Sequence, residues 1–159
     1  MATLDVASPA PDFVLPSSEG GTFQLSQQRG RWVVLYFYPK DFTPGCTTEA
    51  CEFRDLLGDL LALGAVVVGV SADSAARHQA FSEKHGLSFP LLSDEDGAVA
   101  KTYGAYGEKT FMGRKSVGVL RTTYLIDPEG RVARVWEKVK AAGHAAEVLE
   151  ALRKLVRSG

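Results

Sequence analysis

Two cysteines, five residues apart, are the residues whose chemistry stands out first in this sequence. Cys46 follows Thr-Pro-Gly, an order typical of a helix start, because threonine is a favoured cap and proline suits the first helical position. Cys46 would then be the third residue of the helix, where free N–H groups and the helix dipole favour a thiolate. We expect a nucleophile there. The alternative is a buried cysteine that packs as a small apolar side chain, and the polar residues at 47–49 disfavour it.

Cys51 lies on the same predicted helix, but an intact helix would keep it away from Cys46. Five residues turn an ideal helix by about 140° and raise it by about 7.5 Å, which separates the two Cα atoms by roughly 8 to 9 Å. A disulfide needs about 4.4 to 6.8 Å. A bond between these cysteines therefore requires the first turns to unwind, and the weak helix formers Gly45, Thr47 and Thr48 favour such opening.

A zinc site is the competing interpretation of two cysteines in a chain that also holds three histidines. His78, His85 and His144 have no finger-like spacing relative to the cysteines. Two cysteines five apart on one helix also make a poor half-site for a tetrahedral ion. We therefore expect no metal.

Composition describes an ordinary globular protein of 159 residues. Apolar residues make up 45% and charged residues 23%, which excludes disordered, collagen-like and coiled-coil chains. Lysine plus arginine number 18 against 19 acidic residues, so no basic field for nucleic acid is present. The longest apolar runs, such as residues 65–70, are far shorter than the roughly 20 residues that span a bilayer. We expect neither a nucleic-acid nor a membrane partner.

The beginning of the sequence and its cysteine content favour the cytoplasm. Residues 1–13 lack the basic, apolar and arginine-rich features of a secretion signal or transit peptide. Two cysteines are too few for the disulfide framework of a small secreted protein. We expect a cytoplasmic protein with one domain, residues 1–159.

Hydrophobic patterning places the cysteine helix between two buried strands. Residues 31–38 and 65–70 are apolar without alternation, which is typical of strands covered on both faces. Residues 46–63 between them have helical spacing. Residues 13–15 and 22–24 flank a Gly-rich turn and predict an N-terminal hairpin.

The rest of the chain predicts further helices and strands around that unit. A helix over 73–85 would open at Ser71 or Asp73 and close at Gly86. The remaining predictions are an extended piece at 89–92, a helix near 97–103, a long loop over 103–118, strands at 119–126 and 131–136, and a final helix near 144–156. The fold class is α/β, with a mixed central sheet flanked by helices.

The residues around Cys46 resemble those of peroxiredoxins of the bacterioferritin-comigratory, or peroxiredoxin Q, type. That family's pattern P-x-x-x-T-x-x-C occurs here, from Pro39 through Thr43 to Cys46, within YFYPKDFTPGCTTEACEFRD. The resemblance continues through GVSADS, FPLLSDEDG, YGAYGEK and RTTYLIDPEG, so it covers nearly the whole chain. It implies a thioredoxin fold with added N-terminal elements.

The resemblance also implies a role for each site residue. Cys46 would be the peroxidatic cysteine, which attacks a peroxide and becomes sulfenic acid. Thr43 and Arg121 would hold the peroxide oxygens, Pro39 would shield the thiolate from water, and Glu49 would orient Arg121. Without the resemblance, the ordinary interpretation would prevail: Arg121 would be a solvated charge at a strand end and Glu49 a charge on the helix surface.

Cys51 matches the resolving cysteine of a subgroup of that family. It would condense with the Cys46 sulfenic acid in the same chain, and a thioredoxin-like dithiol would reduce the disulfide. This cycle implies peroxide substrates, hydrogen peroxide and organic hydroperoxides among them, no bound cofactor and a monomer. The loop at 103–112 would line the peroxide entrance or form plain surface.

Three other functions compete with a peroxidase. A general disulfide oxidoreductase ordinarily uses C-x-x-C, which this sequence lacks. A nucleotide-binding domain would carry a glycine-rich phosphate loop, and neither common form occurs. A chaperone-like binding module, switched by a disulfide that exposes apolar helix surface, is the non-catalytic alternative.

Overall fold

Nine strands, four α-helices and one short 3-10 helix (Leu25–Gln28) are distributed over residues 3–158, the part of the chain that the computed structural model describes. The strands are β1 (Val14–Pro16), β2 (Thr22–Gln24), β3 (Trp32–Phe37), β4 (Ala65–Ser71), β5 (Leu91–Ser93), β6 (Tyr106–Phe111), β7 (Arg114–Val119), β8 (Thr122–Ile126) and β9 (Val132–Trp136). The helices are α1 (Pro44–Ala62), α2 (Ala75–His85), α3 (Ala98–Thr102) and α4 (His144–Ser158). The ends of the predicted 1–159 domain lie outside the described residues.

The centre of the fold is a five-stranded mixed sheet in the order β5-β4-β3-β8-β9. Strands β5, β4 and β3 are parallel, whereas β8 and β9 add to β3 as an antiparallel pair. Alternate residues of β3 enter two separate cores, Tyr36 with side chains of α1 and α4, and Leu35 with Phe13 and Tyr103 on the other face. The prediction of an α/β fold with a mixed sheet covered on both faces is confirmed.

Most predicted elements are present. The N-terminal hairpin pairs β1 with β2, α1 begins after the cap residue Thr43 with Cys46 as its third residue, and Gly86 ends α2 at φ 62°. The predicted cap of α2 is wrong: Ser74 caps this helix by accepting a hydrogen bond from the Arg77 N–H. Ser71 instead ends β4 and donates to the carboxylate of Asp73.

The predicted long loop at 103–118 is also wrong, because it contains the antiparallel hairpin of β6 and β7. Met112 and Gly113 both have positive φ, as a tight hairpin turn of this kind requires. The hairpin shows no sequence signal because β7 is mostly exposed and so lacks an apolar alternation. The predicted strand 119–126 is accordingly divided, with Leu120 and Arg121 between β7 and β8.

No helix within residues 3–158 has the length and apolar character needed to cross a lipid bilayer.

Two glycines test how tightly the sheet is packed. A Cβ added to Gly69 would lie 2.8 Å from Cζ of Tyr36 and 2.9 Å from Cδ2 of Leu91, whereas one added to Gly58 on α1 would meet nothing within 4 Å. We expect Gly69→Ala to lower the free energy of unfolding by about 1 to 3 kcal/mol through overpacking. Gly58→Ala should raise it by about 0.5 to 1 kcal/mol. Urea unfolding measures both, and equal stabilities for the two variants would contradict the packing.

Candidate active site

Cys46 lies at the amino end of α1, directly after the loop that leaves β3. Thr43 is the cap residue and Pro44 the first residue of the helix, and the Thr47 N–H donates to the Thr43 carbonyl. Cys46 is a free cysteine with only 1% of its surface exposed. Its sulfur is therefore close to the unpaired N–H groups of the first turn and nearly closed to bulk water.

Arg121 connects the cysteine to a buried carboxylate. Its Nη2 donates to Cys46 Sγ at 3.3 Å, and its Nη1 donates to Glu49 Oε1 at 2.7 Å. The Glu49 side chain is fully buried, so it is not the surface charge that its helix position alone would allow. A Cβ on Gly45 would lie 3.1 Å from Arg121 Nη2, so the glycine leaves room for the guanidinium.

Burial and charge act against each other in this cluster. Burial raises the pKa of Glu49 to about 7, although the Arg121 guanidinium beside it favours the ionised form. Burial also lowers the pKa of Arg121, but Cys46 and Glu49 together outweigh that effect and leave it raised. The pKa of Tyr36, buried beneath the cluster, is raised well above its usual range by burial and by the charges of Glu49 and Cys46. Arg121 thus remains a cation beside the sulfur.

Pro39 and Thr43 lie in the loop before α1 and differ in their surroundings. The Thr43 hydroxyl donates to the Lys40 carbonyl at 2.7 Å and makes no capping hydrogen bond to the helix. Pro39 is half-buried and lines, together with Arg121, a groove of about 510 Å³. The other lining residues are Gly104, Glu108, Lys109, Thr110, Val119, Leu120, Thr122, Glu137 and Lys138. The β6–β7 hairpin therefore borders the approach to Arg121.

Cys51 is not part of this cluster. It is also a free cysteine, half-buried on α1, and its Sγ lies 3.8 Å from Nδ1 of His85 at the end of α2. Because α1 is helical through both cysteines, their sulfurs point to different sides, as the five-residue spacing predicts.

A buried hydrogen-bonded pair, Asp41 and His78, anchors the loop before α1, and no sequence pattern pointed to it. His78 Nδ1 lies 2.6 Å from Asp41 Oδ2 and its Nε2 lies 2.9 Å from the Leu92 carbonyl, while the Tyr38 hydroxyl donates to Asp41 Oδ1 at 2.6 Å. Asp41 and His78 are both completely buried. With Asp73 they form a group of potential metal ligands, but these hydrogen bonds engage Asp41 and His78. The pair fixes the loop to α2 and to the sheet.

Phe42, next to Asp41, holds the loop from outside. Its φ is 64°, an unusual value for a side chain of this size. Its ring meets Phe81 edge-on at 5.1 Å between centroids, and the cations of Arg77 and Lys84 lie over it at 5.1 and 5.8 Å from its centroid. These contacts offset the backbone strain and seat the loop on α2.

Comparison with known proteins identifies the family, because residues 6–135 match the model of the AhpC/TSA family. The chain belongs to this family. A putative peroxiredoxin bcp of Coxiella burnetii is 50% identical over 147 residues, which cover 92% of this chain and 97% of that protein. Peroxiredoxin Bcp of Bacillus subtilis is 45% identical over 153 residues, which cover 96% and 98%.

Solved structures of this family have the same fold. The bacterioferritin comigratory protein of Xanthomonas campestris, studied for its alkyl peroxide reduction, gives a TM-score of 0.89 at 43% identity and covers 96% of this chain and 99% of its own. A cysteine-to-serine variant of PrxQ from Xylella fastidiosa gives 0.91 at 38% identity, with coverages of 97% and 98%. The chain is therefore a peroxiredoxin with a thioredoxin fold, an enzyme of the peroxidase class, as its sequence predicted.

The raised pKa of Glu49 predicts a pH-dependent stability for this peroxiredoxin. The folded chain holds a proton on Glu49 up to about pH 7, whereas the usual value is 4.5. The stability that this proton provides is full below pH 4.5 and is lost as the pH rises to about 7. From pH 5 to pH 8, wild type should lose about 2 to 3 kcal/mol more free energy of unfolding than Glu49→Gln.

Urea unfolding at both pH values measures this difference. Glu83→Gln, which changes an exposed glutamate of α2, is the matched control and should follow wild type. Parallel pH dependence of wild type and Glu49→Gln would contradict the raised pKa.

Proposed function

We propose that this peroxiredoxin reduces hydrogen peroxide and organic hydroperoxides through a thiolate on Cys46. The observation that carries the proposal is the 3.3 Å contact between Cys46 Sγ and the Arg121 guanidinium at a buried helix start. A permanent cation and the helix dipole both stabilise a thiolate. The same cation is suited to the negative charge that leaves a peroxide bond when it is cleaved.

In the proposed first step, the Cys46 thiolate attacks the terminal peroxide oxygen. The O–O bond breaks, Cys46 becomes sulfenic acid, and the other oxygen leaves as hydroxide or alkoxide and takes up a proton to become water or alcohol. Arg121 holds the peroxide and the leaving oxygen with its planar donors, and Glu49 positions Arg121 by accepting a hydrogen bond from it. The Thr43 hydroxyl oxygen accepts a hydrogen bond from the peroxide, and Pro39 limits the access of water to the thiolate.

In the proposed second step, Cys51 condenses with the sulfenic acid in the same chain. The helix has to unwind for this, because both sulfurs belong to α1 on different sides. A thioredoxin-like dithiol then reduces the disulfide by exchange. Because both thiols lie in one chain, the cycle needs no second subunit and no bound cofactor, so we propose a monomer. A cycle that returns to free thiols suits the reducing cytoplasm.

Organic hydroperoxides are supported by the groove beside Arg121. Its volume of about 510 Å³ exceeds what hydrogen peroxide needs, and Val119 and Leu120 offer apolar surface to an alkyl group. The Xanthomonas campestris relative, whose alkyl peroxide reduction is described, is 43% identical over nearly the same length.

Arg121 should set the rate of the first step. We expect Arg121→Met to slow the reaction of reduced enzyme with hydrogen peroxide by about 100-fold or more, because removal of one such donor typically costs that much. Stopped-flow measurement under single-turnover conditions gives this rate. Arg114→Met, which removes an exposed arginine of β7, is the matched control and should react like wild type. Equal rates for the two variants would leave Arg121 without the proposed role.

The two cysteine-to-serine variants should lose different steps of the proposed cycle. Cys46→Ser should abolish peroxide consumption, whereas Cys51→Ser should complete one turnover, accumulate sulfenic acid and lose thioredoxin-linked recycling. Peroxide consumption and NADPH oxidation in a coupled thioredoxin assay measure the two steps separately. Unimpaired recycling by Cys51→Ser would mean that another thiol resolves the sulfenic acid. Turnover by Cys46→Ser equal to wild type, with suppression of aggregation by the oxidised wild type, would favour the chaperone-like alternative.

A further inference from the structure

His85 touches the second cysteine rather than the first. Its Nδ1 lies 3.8 Å from Cys51 Sγ, within the range of a hydrogen bond to sulfur, although 34 residues separate the two in sequence. Both side chains are half-buried, so the pair lies at the surface between α1 and α2. No other hydrogen bond joins a cysteine to a histidine among residues 3–158, and the first step of the proposed cycle does not use this one.

Two contacts hold the His85 ring against Cys51. The ring of Phe81, one turn earlier on α2 and completely buried, meets the imidazole edge-on at 4.9 Å between centroids. Arg54, three residues after Cys51 on α1, donates from Nη1 to the His85 carbonyl at 2.8 Å. The end of α2 is therefore connected to the middle of α1 at this point, and the imidazole has a fixed place beside the sulfur.

The charged groups beside this pair have partners of their own. On α1, the charge of Arg54 interacts with Cys51, and its guanidinium also pairs with Asp55 at 3.0 Å. Glu52, next to Cys51 in sequence, accepts a hydrogen bond from the Gly143 N–H. On α2, Lys84 lies over the ring of Phe42. His85 is therefore the titratable group that touches the Cys51 sulfur.

We propose that His85 is a catalytic residue of the resolving step, where it accepts the thiol proton of Cys51. This inference rests on the proposed function, in which Cys51 attacks the sulfenic acid of Cys46. A thiolate is the attacking species in such reactions, and an ordinary thiol is only a few per cent ionised at pH 7. An imidazole in contact with the sulfur raises that fraction at the moment of attack.

The step balances with the groups present. Cys51 gives its proton to His85 Nδ1, and the resulting thiolate forms a bond to the Cys46 sulfur while the S–OH bond breaks. The Cys51 sulfur is oxidised and the sulfenic sulfur reduced to the common level of a disulfide. Hydroxide leaves, takes up the proton from His85 and becomes water. The imidazole is neutral again at the end.

The place of Cys51 in α1 fits this role. Cys51 is the eighth residue of the helix, whereas Cys46 is the third. When the first turn opens, Cys46 can move while the contacts of Cys51 and Arg54 with His85 persist. Cys51 and His85 therefore stay in place. The sulfenic acid of Cys46 then approaches a thiol whose proton acceptor is already in contact with it.

His85→Gln tests the proposal because it keeps a polar side chain and removes the proton acceptor. After one equivalent of hydrogen peroxide, rapid-quench mass spectrometry follows sulfenic acid and disulfide separately. We expect disulfide formation at pH 7 to slow by about tenfold, in line with the small ionised fraction of an unassisted thiol. The defect should shrink as the pH approaches 9, where hydroxide ionises the thiol directly. A merely structural defect would persist at every pH.

Two controls make the result specific. The rate of sulfenic acid formation, measured on the same samples, should be unchanged and shows that the Cys46 site is folded. Glu83→Gln removes a full charge from an exposed position of α2, two residues before His85, and should form the disulfide at the wild-type rate. Equal slowing by Glu83→Gln, or a His85→Gln defect that does not depend on pH, would overturn the proton-acceptor role.

Failure of the proposed function itself would look different. If wild type formed no disulfide between Cys46 and Cys51, the two-cysteine cycle would be wrong whatever His85 does. If wild type formed it and His85→Gln formed it equally fast at pH 7, the cycle would stand and only the role of His85 would be wrong.

Discussion

One guanidinium connects the buried groups of the candidate active site. Arg121 donates at the same time to the sulfur of Cys46 and to the carboxylate of Glu49, both nearly free of solvent. Ionising either group inside the protein is costly unless a partner of opposite charge is present. The raised pKa of Glu49 shows that even this partner does not fully compensate for burial. Arg121 is therefore the group on which the burial of both side chains depends.

The order of the strands brings Cys46 and Arg121 together. Strand β3 delivers the loop and the helix that carry Cys46, and the neighbouring strand β8 begins immediately after Arg121. Arg121 lies in the break between β7 and β8. Because the strand is interrupted there, the Arg121 side chain can reach the start of α1. Gly45 leaves the space into which the guanidinium fits. The contact between Arg121 and Cys46, which are 75 positions apart, thus depends on the order of the strands, on the break after β7 and on Gly45.

What could be predicted from the sequence depended on whether the cause was local. The start of α1 and the position of Cys46 follow from Thr-Pro-Gly, and the buried strands follow from unbroken apolar runs, so both were predicted. The β6–β7 hairpin was missed because exposed strands need no apolar pattern. Arg121 and Glu49 were found only through the family resemblance. The partners of Asp41 and Cys51, His78 and His85, lie on α2, and no local signal in a single sequence links them.

The buried pair of Asp41 and His78 also limits how far a rearrangement can spread. This pair fixes the chain two residues before the cap of α1, so it holds the end of β3 in place while the helix that follows unwinds in the proposed cycle. In the proposed cycle, only the residues between the cap and Cys51 change conformation. Ordering a residue costs about 1 to 2 kcal/mol of backbone entropy, so confining the change to one or two turns keeps the entropy cost of rebuilding the helix well below that of refolding the whole domain. The anchor thereby separates a repeatedly opened segment from a core that never has to refold.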